Sequence, residues 1–314
     1  VANNILLAVS CFVVFVGTLW PLIAELAFDR KLSVGPPFFD AAFTPFMVAL
    51  MALLPLGAML PWKRARLGRA VQPLWGVLAF ALAAGGLTWA IQTGQSLLAP
   101  VGVLLSVWVI GGAAADLGSR AGGGSLSERL RRLRALPGAD WGKSIAHAGF
   151  GITALGIAGL TAWEVEDIRV AREGERYTVE AFGPWQYDIR LNEVRRVEGP
   201  NYLSTMASVD VLRGDRVVAH LEPEKRVYPV AGMPTTEAAI DNGVLRDVYV
   251  VIGDPQEGGG WAVRTFLKPL ANWIWAGCIV MGIGGAVSLT DRRYRVAAGA
   301  RKAAGPARGG VPAE

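Results

Sequence analysis

Apolar residues in this chain come in blocks of about 20 separated by short polar stretches, and one long segment before the last block breaks the pattern. Five blocks precede residue 164: Asn4 to Ile23, Ala41 to Pro61, Leu74 to Thr93, Ser96 to Ala115 and Ser144 to Trp163. A sixth runs from Leu270 to Leu289. A helix of about 20 residues, rising roughly 1.5 Å per residue, spans the roughly 30 Å hydrocarbon layer. The blocks therefore predict six transmembrane helices rather than core helices of a soluble domain.

Segment 164–267 has a different period. Tyr187, Ile189 and Leu191 alternate with polar neighbours. Val209 and Val211 lead into Arg213-Gly214-Asp215-Arg216 and then Val217-Ala219-Leu221, while Val248-Val250-Ile252 precede a glycine loop at 258–260. This alternation predicts hairpins in an antiparallel sheet or small barrel. Gly199-Pro200-Asn201 and Gly232-Met233-Pro234 mark turns. Glu164 to Arg172 is expected to continue the fifth span as a short helix. The fold class is a polytopic α-helical membrane protein with about six transmembrane helices and one extracytoplasmic β-rich domain between the fifth and sixth.

A hydrophobic share of 52% and a mean hydropathy of +0.36 agree with that class. Net charge is +5, but its placement carries the information. Residues 62–73 carry +4, residues 116–143 carry +3 and the tail 291–314 carries +4. Residues 24–40 carry −1 and residues 164–267 carry −6. Basic loops are retained in the cytoplasm, which places both termini inside and 164–267 outside. Trp20, Trp89, Trp163, Trp273 and Trp275 fall at the outer ends of the blocks, and Trp62, Trp75 and Trp141 at the inner ends, as an interfacial belt would. The basic surplus is thus a topology signal, and no nucleic-acid partner is expected.

The expected domains are 1–163, holding helices one to five with a cytoplasmic linker at 116–143; 164–267, the β-rich domain; 268–290, the sixth helix; and 291–314, a basic disordered tail. An amphipathic turn or two at Ser127 to Leu136 is expected to lie on the inner leaflet. The chain opens on Val1 with no charged leader. It is expected to be the C-terminal part of a longer protein, or to use a Val-encoded start.

Candidate chemistry is sparse. Cys11 and Cys278 both sit inside predicted spans, which excludes a disulfide framework and a Cys-x-x-Cys site. No nucleophile triad, phosphate loop, zinc cluster or paired acids within a span is present, which argues against a self-contained hydrolase or ATPase. The conspicuous residue is His147, about one turn inside the fifth span past Lys143. A neutral imidazole in a low-dielectric medium still wants partners for both nitrogens, and haem iron is one solution. Gly151, Ala154 and Ala158 follow at helical spacing and leave a flat face for a macrocycle or a neighbouring backbone. From the residues alone, iron ligand and interhelical hydrogen-bonding residue remain equal readings. His220, between Ala219 and Leu221, reads as a surface or half-buried polar residue.

Several strings resemble one family. Gly17-Thr18-Leu19-Trp20-Pro21-Leu22 leads to Lys31-Leu32-Ser33-Val34-Gly35-Pro36-Pro37-Phe38-Phe39. Gly199-Pro200-Asn201-Tyr202 and Leu221-Glu222-Pro223-Glu224-Lys225-Arg226-Val227-Tyr228 follow, then Thr236-Glu237-Ala238-Ala239-Ile240 and Arg246-Asp247-Val248-Tyr249-Val250. Lys268-Pro269 and Trp273-Ile274-Trp275-Ala276-Gly277 complete the series. From about residue 15 to 290 the chain is similar to the CcmF (CycK) component of bacterial cytochrome c maturation.

The resemblance implies a haem lyase subunit that receives haem from the chaperone CcmE and supports its attachment to the Cys-x-x-Cys-His thiols of apocytochrome c. The thiol-handling subunits CcmH and CcmI are further implied partners, beside the lipid bilayer. His147 in Ala146-His147-Ala148-Gly149 matches the family's transmembrane axial ligand of a permanent b-type haem (haem b), whose role would be passing electrons to the incoming haem iron. The family's tryptophan-rich segment, its two extracytoplasmic haem-binding histidines and its second transmembrane ligand have no counterpart here, and all belong to the N-terminal half. The chain would then supply half of the b-haem site, and it is expected to be inactive without that N-terminal half as partner. The alternatives are a non-catalytic assembly scaffold and a membrane transporter. The second lacks an inverted repeat and a membrane carboxylate.

Overall fold

A computed structural model describes residues 2–60, 68, 71–94, 96–180, 186–230 and 232–291. The expectations for Trp62, for the bases of 62–73 and for the tail 292–314 lie outside the described residues. Six helices are long and apolar enough to cross a membrane: α1 (Ala2–Phe28), α2 (Pro36–Met59), α3 (Leu74–Ile91), α4 (Leu98–Ala121), α6 (Gly138–Trp163) and α7 (Ala271–Thr290). The short α5 (Leu126–Arg134) starts in a capping box, where the Ser125 hydroxyl accepts from the Glu128 N–H and the Glu128 carboxylate accepts from the Ser125 N–H. The chain forms two compact units. One comprises Val1–Leu78, Trp108–Gly151 and Gly277–Glu314, the other Ala79–Val107 and Ile152–Ala276.

In the first unit, glycines let helix backbones touch. A Cβ added at Gly142 would lie 2.5 Å from the Gly284 carbonyl oxygen, and one at Gly149 2.5 Å from the Met281 nitrogen. One at Gly284 would lie 2.5 Å from the Ala146 nitrogen. Small residues thus seam α6 to α7, the usual way for helices to associate where lipid removes the hydrophobic drive. Trp108, 7% exposed, donates its indole N–H to the Ala52 carbonyl at 3.1 Å and ties α4 to α2.

Several helices outrun their apolar blocks, and α4 and α6 do so through charged residues that pair. Helix α4 continues past Ala115 to Ala121, and α6 begins at Gly138 rather than Ser144. Their added turns carry Asp116, Arg120, Asp140 and Lys143, which pair with one another and so stay helical.

Among the described residues of the second unit, ten strands make two antiparallel sheets packed as a sandwich rather than a small barrel. The four-stranded sheet has order β1-β10-β9-β8, and the six-stranded one β2-β3-β4-β6-β7 with β5 added on β4. The strands are β1 (Val165–Ala171), β2 (Arg176–Val179), β3 (Tyr187–Glu198), β4 (Leu203–Arg213) and β5 (Arg216–Leu221), then β6 (Glu224–Tyr228), β7 (Met233–Glu237), β8 (Ala239–Asp241), β9 (Arg246–Pro255) and β10 (Trp261–Pro269). The alternating residues face inward as their period requires. Ile189, Leu191, Val209, Val211, Val248, Val250, Ile252, Val263 and Leu267 form the core. Tyr177 and Thr265 share a buried hydrogen bond of 3.1 Å, and burial pushes the Tyr177 hydroxyl up to about 12.

Glu164 to Arg172 corrects the expectation of a helix. Helix α6 stops at Trp163, and β1 pairs with β10 from Val165↔Leu267 to Ala171↔Trp261. Val165 and Ala171 share the face turned to the sandwich core while Ile168 and Val170 lie on the opposite, exposed face, a period of two that fits a strand, and the pairing with β10 satisfies the backbone. The Gly232-Met233-Pro234 turn is shifted as well: Gly232 has a φ of 63°, but Met233 and Pro234 already belong to β7.

The outer face of the six-stranded sheet is a ladder of opposite charges. Asp188 accepts from Thr178 at 2.7 Å and from Arg176 at 2.5 Å, and these bonds hold its carboxyl below the usual range. Glu224 is lowered by Arg226, which also lies 4.5 Å over the Tyr202 ring. Burial raises Asp210, but hydrogen bonds from His220, Arg190 and Asn192 outweigh it and leave it lowered. A carboxyl with a folded pKa below its unfolded value stabilises the fold above the unfolded value, and that contribution disappears as pH falls through the folded one. The sandwich should therefore keep its acid-sensitive stability at neutral pH and lose it below about pH 4. Urea titrations followed by circular dichroism of the full chain at pH 7, 5 and 3 would check this, and a midpoint unchanged at pH 3 would contradict it.

Candidate functional site

His147 lies on α6, four residues after Lys143 and three after Ser144. At roughly 100° per residue it falls between those two on the helix surface and well away from Gly142 and Gly149, which face α7. The side chain is half-buried, and its ring makes no hydrogen bond to another described residue. Among the described residues neither nitrogen of this half-buried imidazole, on a helix that can cross a membrane, finds a hydrogen-bond partner.

The face beneath His147 is occupied by a charge cluster that the sequence reading did not identify. Asp116 of α4 is 3% exposed and bonds Lys143 at 2.7 Å and Arg120 at 3.2 Å. The Ser144 hydroxyl donates to Asp116 at 3.3 Å. Arg120 also reaches Asp140 at 2.9 Å. Two acids and two bases therefore close a neutral quartet at the start of α6 and the end of α4. Reading residues 116–143 as a linker hid it. The signals available were the four-residue spacing of Asp116 and Arg120 and the equally isolated Lys143 before an apolar run.

Of the small residues after His147, Gly151 and Ala158 are buried. The packing at Ala158 is with protein: a Cβ added at Gly102 of α4 would lie 2.8 Å from the Ala158 Cβ. His220 belongs to β5, where Asp210 directly opposite on β4 accepts at 2.8 Å from its Nδ1 side, and its side chain is 54% exposed. A half-exposed polar role thus describes it, with a carboxylate orienting the ring. Trp20, Ala24, Phe28, Arg30 and Leu32 line an open cavity of 440 Å³ at the end of α1, apolar apart from one guanidinium. Among the described residues no group of three or more His, Cys, Asp or Glu side chains is placed to hold a metal ion.

A set of apolar spanning-length helices joined to a β-sandwich defines a membrane protein with a β domain. Residues 162–269 match the model of the CcmF C-terminal beta-sandwich. The chain is 57% identical over 303 residues to the cytochrome c-type biogenesis protein ccl1 of Rhodobacter capsulatus, covering 96% of this chain and 45% of that protein. It is 40% identical to CycK of Rhizobium meliloti (96% and 44%) and 34% identical to CcmF of Escherichia coli (94% and 43%). A solved structure titled cytochrome c heme lyase CcmF superposes with a TM-score of 0.64 at 21% identity, over 92% of this chain and 44% of that one, a likeness of fold. Over most of its length the chain is similar to the CcmF, CycK and Ccl1 proteins of cytochrome c-type biogenesis, and it spans a little under half the length of these relatives.

Asp116→Asn removes the one acid that, among the described residues, meets both Lys143 and Arg120. Breaking a buried ion pair from one side costs roughly 3–5 kcal/mol, whereas replacing both partners by apolar groups costs much less. The unfolding temperature of the chain in nanodiscs should fall clearly in Asp116→Asn and recover in Asp116→Leu/Lys143→Met, where Arg120 keeps Asp140. Equal losses in the two variants would show that the quartet is not a unit.

Proposed function

We propose that this chain is the haem-binding, membrane-embedded portion of a cytochrome c haem lyase, and that His147 is one axial ligand of a resident b-type haem. The observation that carries the reading is the half-buried, unbonded imidazole of His147 on an apolar helix, in a chain whose relatives are cytochrome c-type biogenesis proteins. The residues fit the group. His147 offers a nitrogen with no hydrogen-bond partner among the described residues, and Gly151, the next residue along that face, has no side chain to obstruct a flat macrocycle. Bound between two histidines, such a haem would be six-coordinate and would supply one-electron transfer rather than substrate binding.

The roles of this chain's own residues follow. His147 would hold the haem iron through its imidazole nitrogen. Asp116 and Asp140 together neutralise Lys143 and Arg120 and fix the first turns of α6, which sets the ring's position one turn further on. The second axial ligand and the transient haem site would come from the N-terminal half of the same protein or from a partner chain. CcmE, apocytochrome c and the thiol-handling CcmH and CcmI are the partners this role needs.

The same reading gives a topology. All six helices cross the bacterial inner membrane with both ends of the chain inside, and the β domain sits in the periplasm between the fifth and sixth spans. Its domains are 1–163, 164–267, 268–290 and 291–314. The −6 charge of residues 164–267 could steer basic cytochrome segments, within a screening length of about 8 Å at physiological salt.

An optical spectrum tests the ligand. Assembled with its N-terminal half, the chain should show a reducible b-type Soret and α band that His147→Ala abolishes while His220→Ala leaves it. Full haem content in His147→Ala would sink the assignment and favour an assembly scaffold. Topology is tested separately by reporter fusions at Gly68 and Asp215. A periplasm-only reporter should be active at Asp215 and silent at Gly68, and the reverse would overturn the orientation.

A further inference from the structure

We propose that the loop between β8 and β9, Asn242 to Leu245, is a membrane foot: an apolar tip that rests in the lipid interface and seats the β-sandwich on the bilayer. The proposal rests on α7 crossing the membrane, and it concerns a surface to which the haem reading gives no role.

The tip exposes two apolar side chains, Val244 at 78% and Leu245 at 50%. Loops in water seldom present such a pair at the summit of a rigid turn, and this turn is rigid. Its three successive carbonyls are all taken by the first turn of α7. The Asn272 side-chain amide donates to the Gly243 carbonyl at 2.8 Å, the Trp273 indole N–H to the Val244 carbonyl at 2.9 Å, and the Leu270 N–H to the Leu245 carbonyl at 2.9 Å. From below, Asp247 is 2% exposed and accepts from the Gly243 N–H at 2.9 Å and from Asn272 at 2.8 Å. Gly243 has no room for a side chain against the Arg246 carbonyl, and Leu270 adopts a φ of 58° to bring its N–H round.

These bonds supply what an environment poor in water demands. A non-helical segment survives near hydrocarbon only if its backbone polar groups are satisfied within the protein. Here the carbonyls of Gly243, Val244 and Leu245 are satisfied while the side chains of Val244 and Leu245 stay bare. The occupant is argued from continuity: the loop is bonded to the first turn of a helix that can cross the membrane, beside Trp273 and the 70% exposed Trp275, and such aromatics mark the lipid headgroup level. Arg246, the nearest cation in sequence, is turned inward onto Asp241 at 2.6 Å and onto the Tyr187 ring, so the tip itself carries no charge.

Depth-dependent quenching in nanodiscs tests this with the full chain. In a Cys11→Ala/Cys278→Ala background, single cysteines at Val244, Ile279 and Val230 would carry an environment-sensitive fluorophore, with nitroxides placed either at the headgroup or deep in the acyl chain. Ile279 is 63% exposed on α7 and reports the span. Val230 is fully exposed beyond β6, whose Val227 pairs with Leu203 opposite Glu198, roughly 35 Å along β3 from Tyr187 and the loop base. Val244 should be quenched at least twofold more by headgroup than by deep nitroxides, Ile279 more by deep ones, and Val230 by neither. Quenching at Ile279 with Val244 behaving like Val230 would overturn the foot while leaving the span intact, and would point to a protein partner on the tip. Absence of quenching at Ile279 would overturn the spanning reading and the foot with it.

Discussion

One constraint shapes the apolar helices of this chain: a polar group without water is costly unless it finds a partner inside the protein. Helices of spanning length meet it for the backbone by themselves. Side chains meet it by pairing, and Asp116 shows how far that goes. A carboxylate 3% exposed on an apolar helix would be prohibitive alone, yet with Lys143, Arg120 and Ser144 around it the helix continues past its apolar block. His147 stands out against this background because its ring has no such partner among the described residues. In a segment that has otherwise settled its polar groups, an unbonded imidazole is the place where something else is expected to bind.

The motifs that carried the family resemblance turn out to be positions of close contact rather than of chemistry. Gly17 in Gly17-Thr18-Leu19-Trp20 leaves the space taken by the Phe38 and Phe39 rings of the second string. Gly199 lies under the Tyr202 ring, which in turn meets Tyr228 at 5.7 Å and Arg226 at 4.5 Å. Asp247, in another of the strings, is the acceptor that pins Gly243 and Asn272. Such sites tolerate one residue type because a backbone or ring passes within van der Waals distance. They identify the fold through its packing and leave the reacting groups to be found elsewhere.

That division explains what could be read from the sequence. The six helices and the inward rows of the sandwich follow from period alone, since Ile189, Leu191, Val248 and Val250 alternate without interruption. Helix ends did not follow. At Asp116 and Lys143 the charges looked like the edge of the membrane, and only their mutual distance in space shows that they cancel. Glu164 to Arg172 was misjudged for a related reason. Its strand is set by a partner about a hundred residues away in β10, and no local pattern records that pairing. His147 was conspicuous because a lone ionisable residue in an apolar run needs no tertiary information to be noticed.

The β8–β9 loop extends the constraint to the place where sandwich and helix join. Strand β10 runs through Pro269 into α7 with only Leu270 between them, so by chain connectivity alone the domain could swing about one residue. Leu270 is held at a φ of 58°, and the loop carbonyls close onto the helix start from the other side. A joint fixed at a covalent link and again by hydrogen bonds from Leu270, Asn272 and Trp273 resists rotation in a way that either attachment alone would not. The hydrogen bonds that let the tip approach lipid are therefore the same ones that tie the loop to Leu270 and the first residues of α7.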